Sequence, residues 1–429
     1  MPTAAAKPAL PPPPASLRWT VLALASLGMF GNYYVYDSIG PLADNLQRLL
    51  GYSDTQLGTL NAIYSFPNII MVLIGGIIVD RLGTRLAMLL FTAICLVGAI
   101  LTALSPSFPV MATGRLVFGL GAESMIVAVT TLIGQWFVGR QLGFAFGVQL
   151  SLARAGSYGA DMSPTWARSY YEQGWQQPLW LAAVIAAVAM AAAVGYYLVD
   201  RAASRRYAIP GPQETEKIVW RDLLRFDRSY WYVVGLCVTY YSVIFPFRST
   251  FAIKYFQHAH GMSLQEAGTM NGYVFLAAIF ATPAFGLLVD RTGRRSLYMA
   301  VGTLLLVLVF PILAYSQANL WVSTVLIGIA FSLVPAVMWP AVSYLVPAER
   351  LGTAYGLMTM LQNIGLTLAN VAAGWLNDRN HAGADNPAGY TPMLWMFLVL
   401  SLAGFVFAAA LRKRETSAQG HGLELQTPR

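Results

Sequence analysis

Charge is what this 429-residue chain has least of. Asp, Glu, Lys and Arg make up 11% of it, against 57% hydrophobic residues and a mean hydropathy of +0.56, a balance that excludes an ordinary set of soluble domains. Cysteine is nearly absent as well. Cys95 and Cys237 each sit inside an apolar run, so packing is expected of them and neither a disulfide framework nor a metal site. No Gly-Lys dipeptide occurs, which removes the phosphate-binding loop an ATP-driven pump needs. The four histidines, His258, His260, His381 and His421, fall in expected loops or the tail with no nucleophile-base pattern, so neither an enzyme nor a cofactor is expected. The opening MPTAAAKPALPPPPASLR puts proline where a signal peptide needs its apolar core, and reads as a disordered tail without cleavage.

What the chain does have is long apolar runs. A bilayer core asks for roughly 20 apolar residues per helix, and twelve such runs are expected at about 17–40, 56–79, 86–105, 108–137, 142–166, 177–199, 230–256, 264–289, 296–316, 319–346, 352–377 and 390–411. The fold class is therefore an all-α membrane protein of twelve transmembrane helices. With both termini inside, the outer side keeps only Arg48, Arg168, Lys254 and Arg379, and Arg115, Arg154 and Arg248 lie within spans. Every other Lys and Arg is then inside, which explains the net charge of +8 as topology and requires no nucleic acid. Both termini are expected in the cytoplasm.

The chain repeats itself. GIIVDRLGTR from Gly76 returns as GLLVDRTGRR from Gly286, and RQLGFAFG from Arg140 is echoed by RLGTAYG from Arg350. Each member of the first pair joins the second and third helices of a six-helix set. The expected units are a tail at 1–16, bundles at 17–199 and 230–411, a basic amphipathic linker at 200–229 lying on the lipid surface, and a tail at 412–429. In the loops, Gly76, Gly83 and Gly293 allow tight turns, while Asp80, Arg81, Arg85, Asp290, Arg291 and Arg295 can pair with each other and with helix ends to latch one half against the other.

This loop, G-x-x-x-D-R-x-G-x-R between helices 2 and 3 and again between helices 8 and 9, resembles the signature of the major facilitator superfamily. The resemblance spans the chain. It implies two pseudo-symmetric six-helix bundles around a central cavity, rocking between two open states.

GRLVFGLGAESMIVAV, from Gly114, holds a single acid, Glu123, in an otherwise apolar stretch after Arg115. Charges at this depth usually face a bundle interior or a wet cavity. Glu123 precedes the turn near Gly139 by about as many residues as Arg154 follows it, so at 1.5 Å per residue both lie roughly 22–24 Å from it. Either they form a structural ion pair, or they receive the two ends of a zwitterion, or Glu123 binds a proton.

A closer resemblance links the chain to the lysosomal dipeptide transporter branch of that superfamily and its bacterial relatives. It rests on YDSIGPL at 36–42, YSFPN at 64–68, GRLVFGLGAES at 114–124, FGVQLSLARAGS at 146–157, FPF at 245–247, LGTAYGLMTMLQNIGL at 351–366 and WPAVSYLVP at 339–347. By that resemblance Glu123 and Arg154 match the acid and arginine of the peptide pocket, and the substrate is a dipeptide. The chain has no N-x-S/T sequon, so a bacterial inner-membrane protein and a monomer are expected. Further candidates for the pocket are Tyr36, Tyr64, Asn68, Arg248, Trp339 and Tyr344. Arg115 and Asp37 join Glu123 as candidates for proton coupling. The alternatives are a proton-coupled carrier of small organic anions or drugs, in which Arg154 alone binds the cargo, and a non-transporting membrane receptor.

Overall fold

The structure, a computed structural model, describes residues 11–137, 141–209, 226–315, 319–347 and 350–425. The expected tail over 1–10, Arg140 and the linker core at 210–225 lie outside the described residues. Long apolar runs become helices, even with Pro67, Pro283, Pro311, Pro335 and Pro340 inside them, because lipid offers the backbone no hydrogen-bond partner. They are α1, Ala15–Asp37; α2 and α3, the two arms at 54–82 and 84–104 of a rod broken at Gly83, whose φ of 75° is left-handed; α4, Phe108–Phe137; α5, Leu142–Asp161; and α6, Gln176–Ala203. The second half supplies α7, Arg228–His260; α8, Leu264–Thr292; α9, Arg295–Tyr315; α10, Leu320–Leu345; α11, Leu351–Arg379; and α12, Thr391–Glu415. His258 and His260 thus belong to the last turn of α7 and not to a loop, because the helix runs past its expected end.

Eight helical stretches are long and apolar enough to cross a membrane on length and composition. The exceptions, α1, the first part of α2, α5 and α11, are interrupted by polar residues that turn inward: Asn32 and Asp37, Asn61 and Asn68, Ser157 and Asp161, Asn363 and Asn370 are all buried. Outward positions remain apolar, with Phe66, Phe144, Phe280 and Leu368 at least 60% exposed, as suits a protein solvated by acyl chains.

One buried apolar core is drawn from α1 to α6 and a second from α7 to α12. The halves meet where α2 packs on α11 and α5 on α8. Both crossings use a glycine at an equivalent place. A Cβ on Gly58 would collide with the Asn370 carbonyl oxygen, and one on Gly268 with that of Asp161. An even number of crossings puts both chain ends at one end of the molecule, here the terminal end; the other is the distal end. At the terminal end, residues 416–425 fold back on the α8–α9 turn, where the Ser296 amide donates to the Glu424 carboxylate at 3.1 Å and Leu423 is fully buried.

Candidate functional site

Every hydrogen bond and ion pair that joins the halves among the described residues lies at the distal end. Pro246 interrupts the α-helical bonding of α7 and a π-helical turn follows over Pro246–Phe251, a local device common at functional positions. It delivers Arg248 to the seam. There Nη2 lies 2.6 Å from Asp37 Oδ1 and Nη1 2.9 Å from Asp161 Oδ2, while Asn271 donates to the same Asp161 oxygen at 3.1 Å. The Arg248 guanidinium stacks 3.6 Å from the Phe275 ring centre. Nearby, Lys254 is paired with Asp54, Asp378 accepts from the backbone amides of Asp54 and Thr55, and Asn61 donates to Thr250.

Beneath this seal lies a cavity of about 510 Å³. One wall, from the first half, presents Asn32, Tyr33, Tyr36, Tyr64, Glu123 and Arg154; the other presents Tyr241, Phe245, Phe331, Trp339, Gln362 and Asn363. Glu123 is midway along α4. Neither charge is spent on the other: no ion pair or hydrogen bond joins Glu123 to any described residue, and Arg154 Nη1 is buried without a hydrogen-bond partner. Arg154 rests on rings instead, its Cζ 4.7 Å from the centre of Phe331 and 5.7 Å from that of Tyr33. Such contacts return about 0.5–2 kcal/mol, well short of a carboxylate partner in a dry site. The geometry therefore holds two opposite charges open toward one hollow. Trp339 Nε1 donates to Tyr241 Oη at 2.9 Å, which fixes the facing aromatic wall.

The remaining expected site residues lie elsewhere. Arg248 and Asp37 are off the cavity wall, paired with each other across the seam, with Arg248 Nε and Asp37 Oδ2 buried and without a hydrogen-bond partner. Asn68 is fully buried with both side-chain polar atoms unpartnered, and it too is off the wall. The Tyr344 ring supports Arg295 at 4.5 Å at the terminal end. Arg115, 1% exposed, donates to the carbonyls of Val35, Tyr36 and Leu60 and to Asn61 Oδ1. It staples α1, α2 and α4 through these neutral acceptors.

The signature loops bond within their own halves: Arg85 to Asp200 at 3.5 Å, and Arg295 to Asp290 at 3.5 Å. Gly83 and Gly293 both take positive φ, and Gly76, Asp80, Arg81 and Arg291 contribute no hydrogen bond or ion pair across the halves among the described residues.

Sequence reasoning missed the seam, although the signal was present. SDTQLGTLN from Ser53 recurs as SLQEAGTMN from Ser263. Both copies form a capping box, through Gln56 and Glu266, both place a glycine at a helix crossing, and both end in an asparagine that bonds to α7. YDS at 36–38 and FRS at 247–249 are equivalents too, so Asp37 and Arg248 occupy matching positions with opposite charge.

A family model described as Major Facilitator Superfamily matches residues 25–255 and 244–427. The chain is 32% identical over 373 residues to the lysosomal dipeptide transporter MFSD1 of Bos taurus, covering 84% of this chain and 80% of that one. It is 33% identical over 362 residues to the protein of the same name from Danio rerio, covering 81% and 78%. Among solved structures, a bacterial homolog of the human lysosomal transporter Spinster, inward-facing and unoccupied, superposes with a TM-score of 0.75 at 16% identity over 94% of this chain and 98% of that one. The nucleoside transporter NupG gives 0.74 at 14% identity, over 92% and 99%; at such identities the likeness speaks to fold alone. Family match, relatives and architecture agree over nearly the whole length, and the chain belongs to the major facilitator superfamily as a multi-pass transporter, not an enzyme, related to the lysosomal dipeptide transporters.

Proposed function

We propose that this transporter moves dipeptides by alternating access, with the bundles at 17–199 and 230–411 rocking about the linker at 200–229. Glu123 receives the peptide's ammonium and Arg154 its carboxylate. The observation that carries this reading is that the two side chains, opposite in charge, face one cavity without engaging each other. A hollow of about 510 Å³ falls within the range of roughly 300–1,000 Å³ typical of small-ligand sites. Charged ends orient such a ligand while the aromatic wall of Tyr241, Phe245 and Trp339 accepts varied side chains. The names of the MFSD1 relatives point to the same substrate class. The excess of Lys and Arg at the terminal end supports a cytoplasmic placement of both termini, so the conformation described here faces the cytoplasm and is shut on the far side.

Thermal unfolding of the purified protein tests the reading, since a ligand at a hundred times its Kd adds about 2.7 kcal/mol to folded-state stability. Free dipeptides should raise the unfolding temperature; N-acetylated dipeptides, single amino acids and monocarboxylates should not. Equal shifts from free and N-acetylated peptides would remove the ammonium contact and favour the organic-anion carrier, in which Arg154 alone holds the cargo. Internal pH recorded in liposomes during peptide uptake separates proton coupling from uniport.

A further inference from the structure

At the distal rim the seam holds a contact of a different kind. His258, on the last turn of α7, places Nε2 2.8 Å from Asp44 Oδ1, and Asp44 belongs to the short helix Ala43–Leu50 of the first half. The other ring nitrogen, Nδ1, lies 2.8 Å from the hydroxyl of Tyr390, in the turn ahead of α12. The Arg248 and Lys254 side chains are at most 1% exposed, whereas His258 and Asp44 are 11% and 25% exposed, within reach of the medium. The charged and titratable groups around the ring are few. The first half brings Asp44 and Arg48, α7 itself brings Lys254, buried against Asp54, and His260, bonded to Tyr255, and the α12 side brings Tyr390.

We propose that His258 and Asp44 form a proton-binding site across the distal seam, through which acid in the medium at that end holds the seam shut. The pair exists only while the halves meet there, and a ligand that binds one conformation better than another shifts the population toward it. Imidazole is the side chain that changes charge between about pH 5 and 8. A neutral ring donates from Nε2 to Asp44 and accepts at Nδ1 from the Tyr390 hydroxyl. A protonated ring donates at both nitrogens, the hydroxyl turns to accept, and the bond to Asp44 becomes a charge pair. In that form both ring nitrogens keep a partner, and the charge pair with Asp44 has to outweigh the loss of an acceptor for the hydrogen of the buried Tyr390 hydroxyl.

Asp44 keeps its charge through this window, because the hydrogen bond from His258, ahead of the field of Arg48 and Lys254, holds its carboxyl below the usual range. The sign follows from both groups. The seam tightens as the pH falls through the histidine range, and loosens again only in strong acid, when Asp44 takes a proton. This proton site lies apart from the cavity and acts whatever the substrate is.

The test uses the full chain in lipid nanodiscs without substrate, with spin labels on Gln173→Cys and Ala384→Cys, both exposed positions at the distal end. Distance distributions between pH 8 and pH 5 report the ratio of shut to open seams. The parent ratio should rise by more than about twofold, since a proton held between His258 and Asp44 only when the halves meet favours the shut state. In His258→Gln and in Asp44→Asn it should change by less than about twofold over the same range. A flat parent overturns the proposal, and so does a response that persists in either variant. Glutamine retains a donor toward Asp44 and asparagine an acceptor toward the ring, so both variants are expected to elute as single species. Should one fail to, the other decides alone.

Discussion

Arg248 and Arg154 are both arginines within membrane helices, and what surrounds each separates support from recognition. Arg248 has two carboxylates, an asparagine neighbour and a ring beneath it. Replacing it by methionine leaves Asp37 and Asp161 buried without a cation, which should cost about 3–5 kcal/mol. Thermal unfolding should show that loss, with partial recovery when Asp37→Asn is added. Among the described residues, neither Arg154 nor Glu123 makes a hydrogen bond or ion pair that holds the fold. Glu123→Gln and Arg154→Lys should therefore leave the unfolding temperature nearly unchanged while weakening dipeptide binding by roughly tenfold to a hundredfold, the worth of one charge-assisted hydrogen bond. Isothermal titration checks the second part. The pair was legible in the sequence because an isolated charge in an apolar run stands out. The partners of Arg248 were not, since they lie 211 and 87 positions away and sequence offers no distance between helices.

At the scale of helices, all twelve rods were legible as long runs, four of them broken by polar residues that turn inward, and the boundary errors have local causes. The α7 helix continues past its expected end because the polar turn at 257–260 stays helical until Gly261, whose left-handed φ of 65° caps it with a bond to the Phe256 carbonyl. The turn between α2 and α3 was legible from Gly83, and its counterpart from Gly293, because the left-handed conformation there favours glycine. The crossings at Gly58 and Gly268 were written in a third repeat, hidden because only the capping box, the Gly-Thr pair and the asparagine are shared. Gly58→Val should wedge α2 from α11 at the distal end. Maleimide labelling of a cysteine at position 61 should then rise above that of the same cysteine with Gly58 intact, the sign of an opened seam.

Across the whole molecule, polar bonds between the halves are confined to one end among the described residues. Opening that end breaks them together, and the reverse conformation must recover the loss at the terminal end, where Arg85 now pairs with Asp200 and Arg295 with Asp290, each within its own half. If those loops latch the reverse state, Asp80→Asn should leave the unfolding temperature of the present conformation unchanged while slowing exchange. Substrate counterflow in liposomes reads that rate directly. The two walls of the cavity also differ in kind, with both charges on the first half and rings and amides on the second. A passenger tethered at both ends to one side of the vehicle is not stretched when the sides swing apart. It rides with the first bundle, and unloading needs only that water reach the ions after the aromatic door has moved away.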